Sequence, residues 1–332
     1  MKLTIIIVSY NVRGFLAQCL RSIEKASEGL DVETFVVDNN SSDDTAEYIH
    51  EHFPWVRFMQ NSDNVGFAKA NNRAIRESES DYVLLLNPDT FIGENVLNQL
   101  IAFMDSHPEA GAAGVEMIGA DGRFARESRR GVPTPFTSFC KMSGLARIFP
   151  SSHTLGHYYM SYLPQDEANQ IEIISGACMC LRRKALTQVG LLDETFFMYG
   201  EDIDLSYRIL KAGWQNWYIP VTILHYKGES TKKNQFRYIN AFYTAMIIFM
   251  NKHFSSYSFW FTWLMKLAVY VKGGIDFIYQ NLKVLTDFHK DDYYLSRAQY
   301  AEFDTEKMSY EDILREMKQI GLTNKKTTIR LI

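Results

Sequence analysis

The sequence predicts an α/β protein whose first 120 residues fold around a mostly parallel β-sheet with helices on both faces. Apolar runs of strand length alternate there with segments of helical period, and this alternation is typical of parallel strands joined by right-handed helical crossovers. Three of the apolar runs end in clusters of polar residues. Because ligands bind beyond the carboxyl ends of strands in such sheets, the clusters predict where a site would lie, although the same residues are common in plain turns.

Five strands and four helices are predicted in this part of the chain. The strands are Leu3–Val8, Thr34–Val37, Val56–Met59, Tyr82–Leu86 and Ala112–Ile118. The helices are Val12–Ala26, Asp43–His52, Ala68–Arg76 and Glu94–Ser106. Ser42 or Asp43 can cap the second helix, because a short polar side chain at that position accepts hydrogen bonds from the first-turn amides.

The remainder of the chain is less regular. Residues 119–169 hold several arginines and prolines without a sustained period, which indicates a functional or a disordered loop. Apolar patterns predict strands over Ile171–Leu181 and Asn216–Pro220. Beyond residue 235 the pattern is mainly helical and rich in aromatic residues, and from Ser309 it ends in a charged helix and a polar segment.

Composition excludes several classes of protein. A length of 332 residues suggests about two domains, or one large α/β domain with an appendage. A composition of 46% hydrophobic and 22% charged residues excludes a disordered or fibrous chain. A formal net charge of −4 argues against a bulk nucleic-acid binder. No G-x-G-x-x-G follows the first strand and no G-x-x-x-x-G-K-[ST] is present, which argues against a dehydrogenase and a P-loop NTPase.

The cysteines are predicted to be structural. Cys178 and Cys180 stand two apart in an apolar run, so in a strand both would point to one face, as core thiols. A zinc site would need more ligands at suitable spacing.

The aromatic tail leaves three interpretations open. Its uncharged stretches, Tyr238–Asn251 and Phe254–Met265, are shorter than the roughly 18–20 residues that span a bilayer. The segment Tyr257–Tyr279 mixes aromatic residues with Lys266 and Lys272, which suits a helix lying in the membrane interface. A buried amphipathic helix or a homodimer contact fits the same pattern.

An acidic cluster is the first candidate catalytic feature. Glu201, Asp202 and Asp204 stand within four residues, between strongly apolar flanks. Such a cluster is typical of a cleft floor where a carboxylate with a raised pKa serves as a general base. The alternative is the solvated first turn of a helix, where acidic residues are also favoured.

A second candidate is a metal site. Asp89 follows a predicted strand, with Asn87 two residues before it, and this oxygen-rich pair suits Mg²⁺ or Mn²⁺. His225 follows a later strand and could complete the site. A lone histidine is more often structural, and only the company of Asp89 and the acidic cluster favours a ligand.

Five blocks of the sequence together resemble the family-2 glycosyltransferases. They are Ile5–Asn11, Val36–Asp43, Asn64–Asn72, Leu85–Thr90 and Phe196–Arg208. The blocks occur in the order of the family and cover about residues 3–230, with the bacterial rhamnosyltransferase-like enzymes of cell-surface polysaccharide synthesis as the nearest subgroup.

The resemblance implies the GT-A fold, a Rossmann-like nucleotide-binding mixed sheet flanked by helices. The implied divisions are a glycosyltransferase domain over 1–235 and a helical, aromatic-rich C-terminal extension over 236–332. Within the domain, residues 1–118 would bind the nucleotide sugar and 119–235 would form the acceptor side.

The resemblance also implies a nucleotide-sugar site at the strand ends. Asp38 would accept the imide N–H of uracil or thymine, with Ser9 and Tyr10 beside the nucleoside. The implied nucleotide-binding set is Ser9, Tyr10, Asn11, Asp38, Asn40, Gly66, Lys69 and Asn87. The implied contacts to donor sugar or acceptor are Asn71, Gly176, Ala177 and Asp204. For several of these the alternatives stay open: a turn at Gly66, solvent at Lys69 and Asn71, tight packing at Gly176, and capping of the following helix by Asp204.

The family's D-x-D metal motif reads Asn87-Pro88-Asp89 here, so one carboxylate is an amide. By resemblance, Asp89 and His225 would hold Mn²⁺ or Mg²⁺ on the donor diphosphate. Asp202 matches the general base, which takes the acceptor's proton while that oxygen attacks the anomeric carbon, so that configuration inverts. Glu201 would contact the acceptor.

The resemblance further implies the partners and the location. The donor would be dTDP-rhamnose or a UDP-hexose, and the acceptor a saccharide, free or lipid-linked. The enzyme would be cytoplasmic, with peripheral contact at the inner face of the cytoplasmic membrane, and would bind no nucleic acid. A catalytically idle nucleotide-binding regulatory or scaffolding protein on the same fold is the alternative.

Overall fold

The computed structural model describes residues 1–226, 235–255, 299–323 and 327–331 of the 332-residue chain. Its centre is a mixed β-sheet with a hydrophobic core on each face. Alternate residues of the first strand pack into the two cores: Ile5 and Ile7 lie on one face, and Ile6 and Val8 on the other. A strand that is buried on both faces needs apolar residues throughout, which explains the uninterrupted apolar run at the start of the sequence.

Within the described residues the main sheet has nine strands. They are β1 (Leu3–Ser9), β2 (Val32–Asp38), β3 (Arg57–Gln60), β4 (Tyr82–Leu86), β5 (Thr90–Ile92), β6 (Ala110–Ile118), β7 (Asn169–Ile171), β8 (Cys178–Arg182) and β9 (Gln215–His225). A separate parallel pair is formed by β10 (Gln299–Phe303) and β11 (Thr327–Leu331).

Ten α-helices lie in the same described residues. They are α1 (Arg13–Ala26), α2 (Thr45–His52), α3 (Phe67–Glu77), α4 (Val96–Ser106), α5 (Pro135–Met142), α6 (Leu145–Ile148), α7 (Arg183–Val189), α8 (Glu201–Lys211), α9 (Gln235–His253) and α10 (Tyr310–Leu322). The predicted helices of the first half and the charged helix after Ser309 are all present, with ends displaced by up to two residues.

The strand order is β3-β2-β1-β4-β8-β6-β9-β5, and β7 pairs with β9. The first four strands in this order are parallel, while β8 runs antiparallel between β4 and β6. Ser9 at the end of β1 lies beside Asp38 at the end of β2. The carboxyl ends of β1, β2 and β4 therefore meet at one edge, as the polar clusters predicted.

The single strand predicted over Ile171–Leu181 is wrong, because this run forms two strands. β7 ends at Ile171 and pairs with β9, whereas β8 begins at Cys178 between β4 and β6. Ile173 and Ile174 between them are buried outside any strand. An apolar run indicates that its residues are buried, but it does not show where one strand ends and the next one begins.

The strand predicted over Asn216–Pro220 is longer than the sequence suggested. It continues through Pro220 to His225, and the pairing with β6 shifts register between Val115 and Glu116. Pro220 has no N–H for a ladder and lies where the register shifts, which is a position where strands tolerate proline. His225 is consequently the last residue of β9 and does not follow it.

The C-terminal helices pack against the α/β unit. Ala245 and Phe249 of α9 join a core with Phe196, which precedes α8, and Ile203 within α8. Lys318 of α10 forms an ion pair with the buried Glu116 of β6 at 2.5 Å. The domain boundary at 235/236 stays a prediction. No helix among the described residues is both long and apolar enough to cross a bilayer, and Tyr257–Tyr279, with Lys266 and Lys272, lies outside those residues.

All four cysteines are buried and carry free thiols. Cys178 and Cys180 belong to the same hydrophobic core, as their spacing predicted. Burial raises the pKa of the Cys180 thiol to about 12, so it behaves as an apolar core residue.

Candidate active site

A cleft of about 340 Å³ opens at the carboxyl ends of β1 and β4. The turn after β4 and the start of α8 both contribute to its lining. The residues that line it are Val8, Tyr10, Asn39, Asn64, Phe67, Asn87, Pro88, Asp89, Glu127, Arg130, Lys141, Tyr158, Tyr159, Ser175, Gly176, Ala177, Met198, Tyr199, Gly200, Glu201, Asp202, Ile203, His225 and Phe242. Both clusters that the sequence singled out thus face one cavity.

Asp202 lies in the first turn of α8, and its Oδ2 is held by two donors. Arg130 Nη2 lies 2.5 Å from Asp202 Oδ2, and the backbone N–H of Gly176 donates to the same oxygen at 3.1 Å. A Cβ on Gly176 would lie 3.3 Å from the Asp202 Cβ. Gly176 therefore allows close packing of the turn before β8 onto the carboxylate, which is the packing alternative left open by the sequence.

Glu201 lies beside Asp202 and differs from it electrostatically. Its side chain is buried, and Oε2 has no hydrogen-bond partner among the described residues. Burial, followed by the charge of Asp202, raises the pKa of Glu201 to about 8. Near neutral pH Glu201 is therefore mostly protonated, while Asp202 is in an ion pair with Arg130.

Asp89 and His225 meet in the same cleft. His225 Nε2 lies 3.3 Å from Asp89 Oδ1 and 3.4 Å from Asn87 Nδ2. Antiparallel pairing of β5 with β9, in which Thr90 is opposite His225, brings the two segments together. Asp89 and His225 are nearly buried, and His225 Nδ1 has no partner among the described residues.

This donor set fits a divalent cation whose remaining ligands come from a diphosphate. In the described part of the chain, no group of three or more His, Cys, Asp or Glu side chains is placed to hold a metal alone. One carboxylate, one imidazole and a nearby amide are a partial set. Mg²⁺ and Mn²⁺ sites of enzymes that act on phosphates commonly combine one or two carboxylates with substrate oxygens.

The structure brings only some of the predicted nucleotide-binding residues into the cleft. Tyr10 and Asn87 line it. Ser9 and Asp38 are buried at the same sheet edge, where Ser41 donates to Asp38 through its N–H at 2.8 Å and its hydroxyl at 2.5 Å. Asn11 accepts hydrogen bonds from Ser42, so these side chains join the loops after β1 and β2.

Asn39 lines the cleft, whereas Asn40, which the resemblance implied as a nucleotide-binding residue, does not. Asn40 is exposed with a positive φ of 62° and does not line the cleft. The neighbouring Asn39 does, and its Nδ2 donates to the carbonyl of Gly66 at 3.2 Å.

Gly66 shapes the cleft through its backbone. Its φ is +87°, and a Cβ there would lie 2.4 Å from the carbonyl oxygen of Phe197. The N–H of Phe67 donates to that same oxygen at 2.8 Å. Gly66 is thus needed both for a left-handed conformation and for the close approach of the 196–200 loop.

Three further predicted residues lie outside the cleft lining. Lys69 is exposed on α3, and Asn71 is buried there with Nδ2 donating to the carbonyl of Phe67 at 2.9 Å. Asp204 is fully buried behind the cleft, bonded to Arg208 Nε at 2.7 Å, Lys252 Nζ at 2.8 Å and His253 Nε2 at 2.7 Å. Asp204 therefore links α8 to α9. Ala177, which was also predicted to contact the donor sugar or the acceptor, does line the cleft.

Sequence reasoning missed the residues that come from the irregular segment 119–169. Arg130, Lys141, Tyr158 and Tyr159 all line the cleft, and α9 adds Phe242. The only signal was the density of arginines and tyrosines in that segment, which does not show which of them turn inward.

Comparisons with known proteins give a matching family and a relative that covers most of the chain. The family model "Glycosyl transferase family 2" matches residues 4–190. A relative from Mycobacterium tuberculosis (strain CDC 1551 / Oshkosh), N-acetylglucosaminyl-diphospho-decaprenol L-rhamnosyltransferase, is 30% identical over 285 residues, which are 82% of this chain and 90% of the relative.

Two solved structures share the fold. A mannosyltransferase from Pyrobaculum calidifontis, in complex with GDP-Man and Mn²⁺, aligns with a TM-score of 0.52 and 14% identity over 97% of this chain and 86% of that one. TarS 1–349 from S. aureus, in complex with UDP-GlcNAc, aligns with a TM-score of 0.51 and 18% identity over 75% of this chain and 65% of that one. At these identities the likeness establishes the fold alone.

Proposed function

The chain belongs to glycosyl transferase family 2 and is a glycosyltransferase, and on that premise we propose that it is an inverting enzyme that transfers a sugar from a nucleoside diphosphate to a saccharide hydroxyl. One observation carries the proposal: Asp89, His225 and Asp202 all line a single cleft at the carboxyl ends of the strands. The same cleft therefore offers a place for a charged leaving group, at Asp89 and His225, and a proton acceptor, Asp202.

Asp202 acts as the general base. Its carboxylate takes the proton of the acceptor hydroxyl while that oxygen forms a bond to the anomeric carbon. The bond from that carbon to the diphosphate oxygen breaks, and the nucleoside diphosphate leaves with the electron pair. Arg130 and the Gly176 N–H fix Oδ2, and the Ile203 N–H donates to Oδ1 at 2.8 Å, so the carboxylate is oriented before the acceptor binds.

Asp89 and His225 would hold Mn²⁺ or Mg²⁺, with Asn87 beside them. When bound, such a cation neutralises the charge that develops on the diphosphate leaving group. The partial ligand set supports this assignment, because it leaves coordination positions for the diphosphate oxygens.

The donor and acceptor follow from the mycobacterial relative. Its name states transfer of L-rhamnose to N-acetylglucosaminyl-diphospho-decaprenol. By that likeness the donor is dTDP-rhamnose, with a UDP-hexose as the second choice, and the acceptor is a lipid-linked saccharide. An enzyme with such substrates would be cytoplasmic and would meet its acceptor at the inner face of the membrane.

Turnover with a defined lipid-linked acceptor tests the proposal. Purified protein is incubated with dTDP-rhamnose or UDP-GlcNAc and a short-chain polyprenyl-diphosphate GlcNAc, and the anomeric configuration of the product is read by NMR. We expect the configuration opposite to that of the donor, and a loss of about 10²- to 10⁴-fold in kcat for Asp202→Asn. Glu109→Gln, at an exposed position outside the cleft, is the control and retains wild-type turnover.

Retention of configuration would refute the single displacement. A catalytically idle regulatory protein on the same fold predicts a different pattern: nucleotide binding without turnover in the wild type, and no effect of Asp202→Asn.

A further inference from the structure

Helix α5 exposes its large apolar side chains and buries smaller ones, which is the reverse of an ordinary surface helix. Its buried residues are Thr137, Ser138 and Cys140, whereas its large apolar side chains, Phe136 and Phe139, are 51% and 49% exposed. A helix on the surface of a globular protein normally places its apolar stripe inward. The arrangement in α5 indicates that an apolar environment lies on its outer side.

The exposed apolar surface continues into α6. We define the α5–α6 face as the five side chains Phe136, Phe139, Met142, Ile148 and Phe149, which are 42–66% exposed. They make up half of the ten exposed large apolar side chains in the described part of the chain, yet they lie within 14 consecutive residues. The two helices contact each other, and clustered exposure of this kind marks an interaction site, while scattered exposure does not.

The charge around the α5–α6 face is one-sided. Residues 131–165 contain no Asp or Glu, and Arg147 of α6 is exposed, although the whole chain has a formal net charge of −4. A segment that combines aromatic and aliphatic side chains with cations suits the surface of an anionic bilayer. There the apolar side chains enter the headgroup and acyl boundary, and the exposed Arg147 meets lipid phosphates.

The α5–α6 face adjoins the cleft. Lys141 belongs to α5 and lines the cleft, and its Nζ lies 2.7 Å from the hydroxyl of Tyr158, which also lines it. A bilayer in contact with this face would therefore place the mouth of the cleft at the depth of the lipid headgroups. A saccharide attached to a lipid through a diphosphate presents its sugar at that depth.

We propose that the α5–α6 face docks on the surface of an anionic lipid bilayer and holds the cleft at the level of the headgroups. This inference rests on the proposed function in one respect, namely that the acceptor is lipid-linked. It assigns membrane contact to residues 136–149, a segment other than the aromatic tail that the sequence suggested.

Co-sedimentation of the full chain with vesicles tests the inference. One set of vesicles contains phosphatidylcholine with phosphatidylglycerol, and the other contains phosphatidylcholine alone. We expect the wild type to bind the anionic vesicles. The double variant Phe136→Ser with Phe139→Ser should bind about tenfold more weakly or worse, because the burial of two phenyl rings is lost.

Two controls make the result specific. Leu322→Ser removes an even more exposed apolar side chain (70% exposed) from α10, outside the α5–α6 face, and should bind vesicles like the wild type. Thermal stabilisation by dTDP or UDP with Mn²⁺ should be equal in the wild type and the double variant, which shows that the variant is folded. The nucleotide readout also reports the proposed function separately, because it can fail while vesicle binding succeeds.

Several outcomes would overturn the inference. They are failure of the wild type to bind anionic vesicles, equal binding by the double variant, or equal weakening by Leu322→Ser. Conversion of a dimeric wild type into a monomer by the double substitution would instead assign the α5–α6 face to a second copy of this chain.

Discussion

Arg130 Nη2 lies 2.5 Å from Asp202 Oδ2 on the floor of the cleft, and each of the two side chains is only 14% exposed. Desolvation lowers the pKa of Arg130, but the charge of Asp202, with further anionic neighbours, outweighs it and the pKa is raised overall. The guanidinium therefore stays charged beside the proposed base. It both orients the carboxylate and places a positive charge in a cleft that would receive a diphosphate.

The first prediction concerns that pair. Arg130→Lys keeps the charge but loses the planar geometry with which Nη2 contacts both Asp202 and the carbonyl of Ile174, at 3.0 Å. We expect kcat to fall about tenfold, which corresponds to about 1.4 kcal/mol, while KM for the donor changes little. Steady-state kinetics measure both. A rise in KM at constant kcat would show that Arg130 binds donor and does not position the base.

Glu201 should make stability depend on pH in a defined direction. Its pKa is about 8 in the folded chain and 4.5 ordinarily, so the folded state retains a proton that the unfolded state releases between those values. Its contribution is fully present below pH 4.5 and is lost as the pH rises toward 8, by at most about 1.4 kcal/mol per pH unit. In Glu201→Gln this loss should be absent.

Urea unfolding of the wild type and Glu201→Gln between pH 5 and about pH 8 measures the two free energies of unfolding. The difference between them depends on pH through the titration of Glu201 alone. The free energies of unfolding should diverge in favour of the variant as the pH rises. Glu109→Gln serves as the control and should follow the wild type. Parallel profiles for Glu201→Gln and wild type would show that Glu201 ionises normally.

Asp204 should matter for stability and not for chemistry. Burial alone would raise its pKa, but hydrogen bonds from His253 and Lys252 and the charge of Arg208 lower the pKa to about 2. Its stabilising contribution is thus present above its ordinary pKa of 3.8 and is lost as the pH falls toward 2. Asp204→Asn should cost roughly 3 kcal/mol near neutral pH, because buried cations lose their counter-charge.

Thermal unfolding checks this prediction, with Asp121→Asn as the matched control. Asp121 forms an exposed ion pair with Arg123 at 3.7 Å, so its loss should change stability by about 0.5 kcal/mol at most. Turnover of Asp204→Asn, assayed well below its unfolding temperature, should remain near that of the wild type. A large loss of kcat without a loss of stability would return Asp204 to the donor or acceptor site.

Gly66→Ala should weaken donor binding. The substitution forces a Cβ to within 2.4 Å of the Phe197 carbonyl oxygen at a φ of +87°, so the 196–200 loop has to move. Met198 and Tyr199 of that loop line the cleft. We expect a stability loss of about 2 kcal/mol and a higher KM for the donor.

Gly29→Ala separates the effect of backbone strain from the effect of the close contact with Phe197. Gly29 has a comparable φ of +74°, with nothing within 4 Å of its Cβ position. It should show the backbone strain without a change in KM. If both variants raise KM equally, the close approach at Gly66 has no role in donor binding.

Much of the fold could be predicted, because β1, β2 and β4 are buried on both faces and read as apolar runs. The polar residues that follow them meet at one edge by the geometry of parallel strands. The structure also gathers Asp89, His225 and Asp202 at one cleft, and the roles that the resemblance implied for them stay predictions.

The remainder depends on tertiary contacts that no local pattern encodes. Arg130 is one of several arginines in an irregular segment, and its position follows from a bridge to Ile173 near β7. The environment of Asp204 is set by Lys252 and His253, far along the chain on α9. Similarly, nothing in the order of Asn39 and Asn40 showed which of them would face the cleft.

Thermal unfolding with dTDP and UDP, each with Mn²⁺ and with EDTA, tests the central claim most directly: the cleft binds a nucleoside diphosphate at Asp89 and His225, while Asp202 acts on the acceptor. A ligand at about 100 times its Kd stabilises by about 2.7 kcal/mol, which is a shift of several degrees. Wild type and Asp202→Asn should both be stabilised with Mn²⁺ only, and Asp89→Asn should not be stabilised. Absence of any shift in the wild type, or a shift that survives both EDTA and Asp89→Asn, would contradict the account.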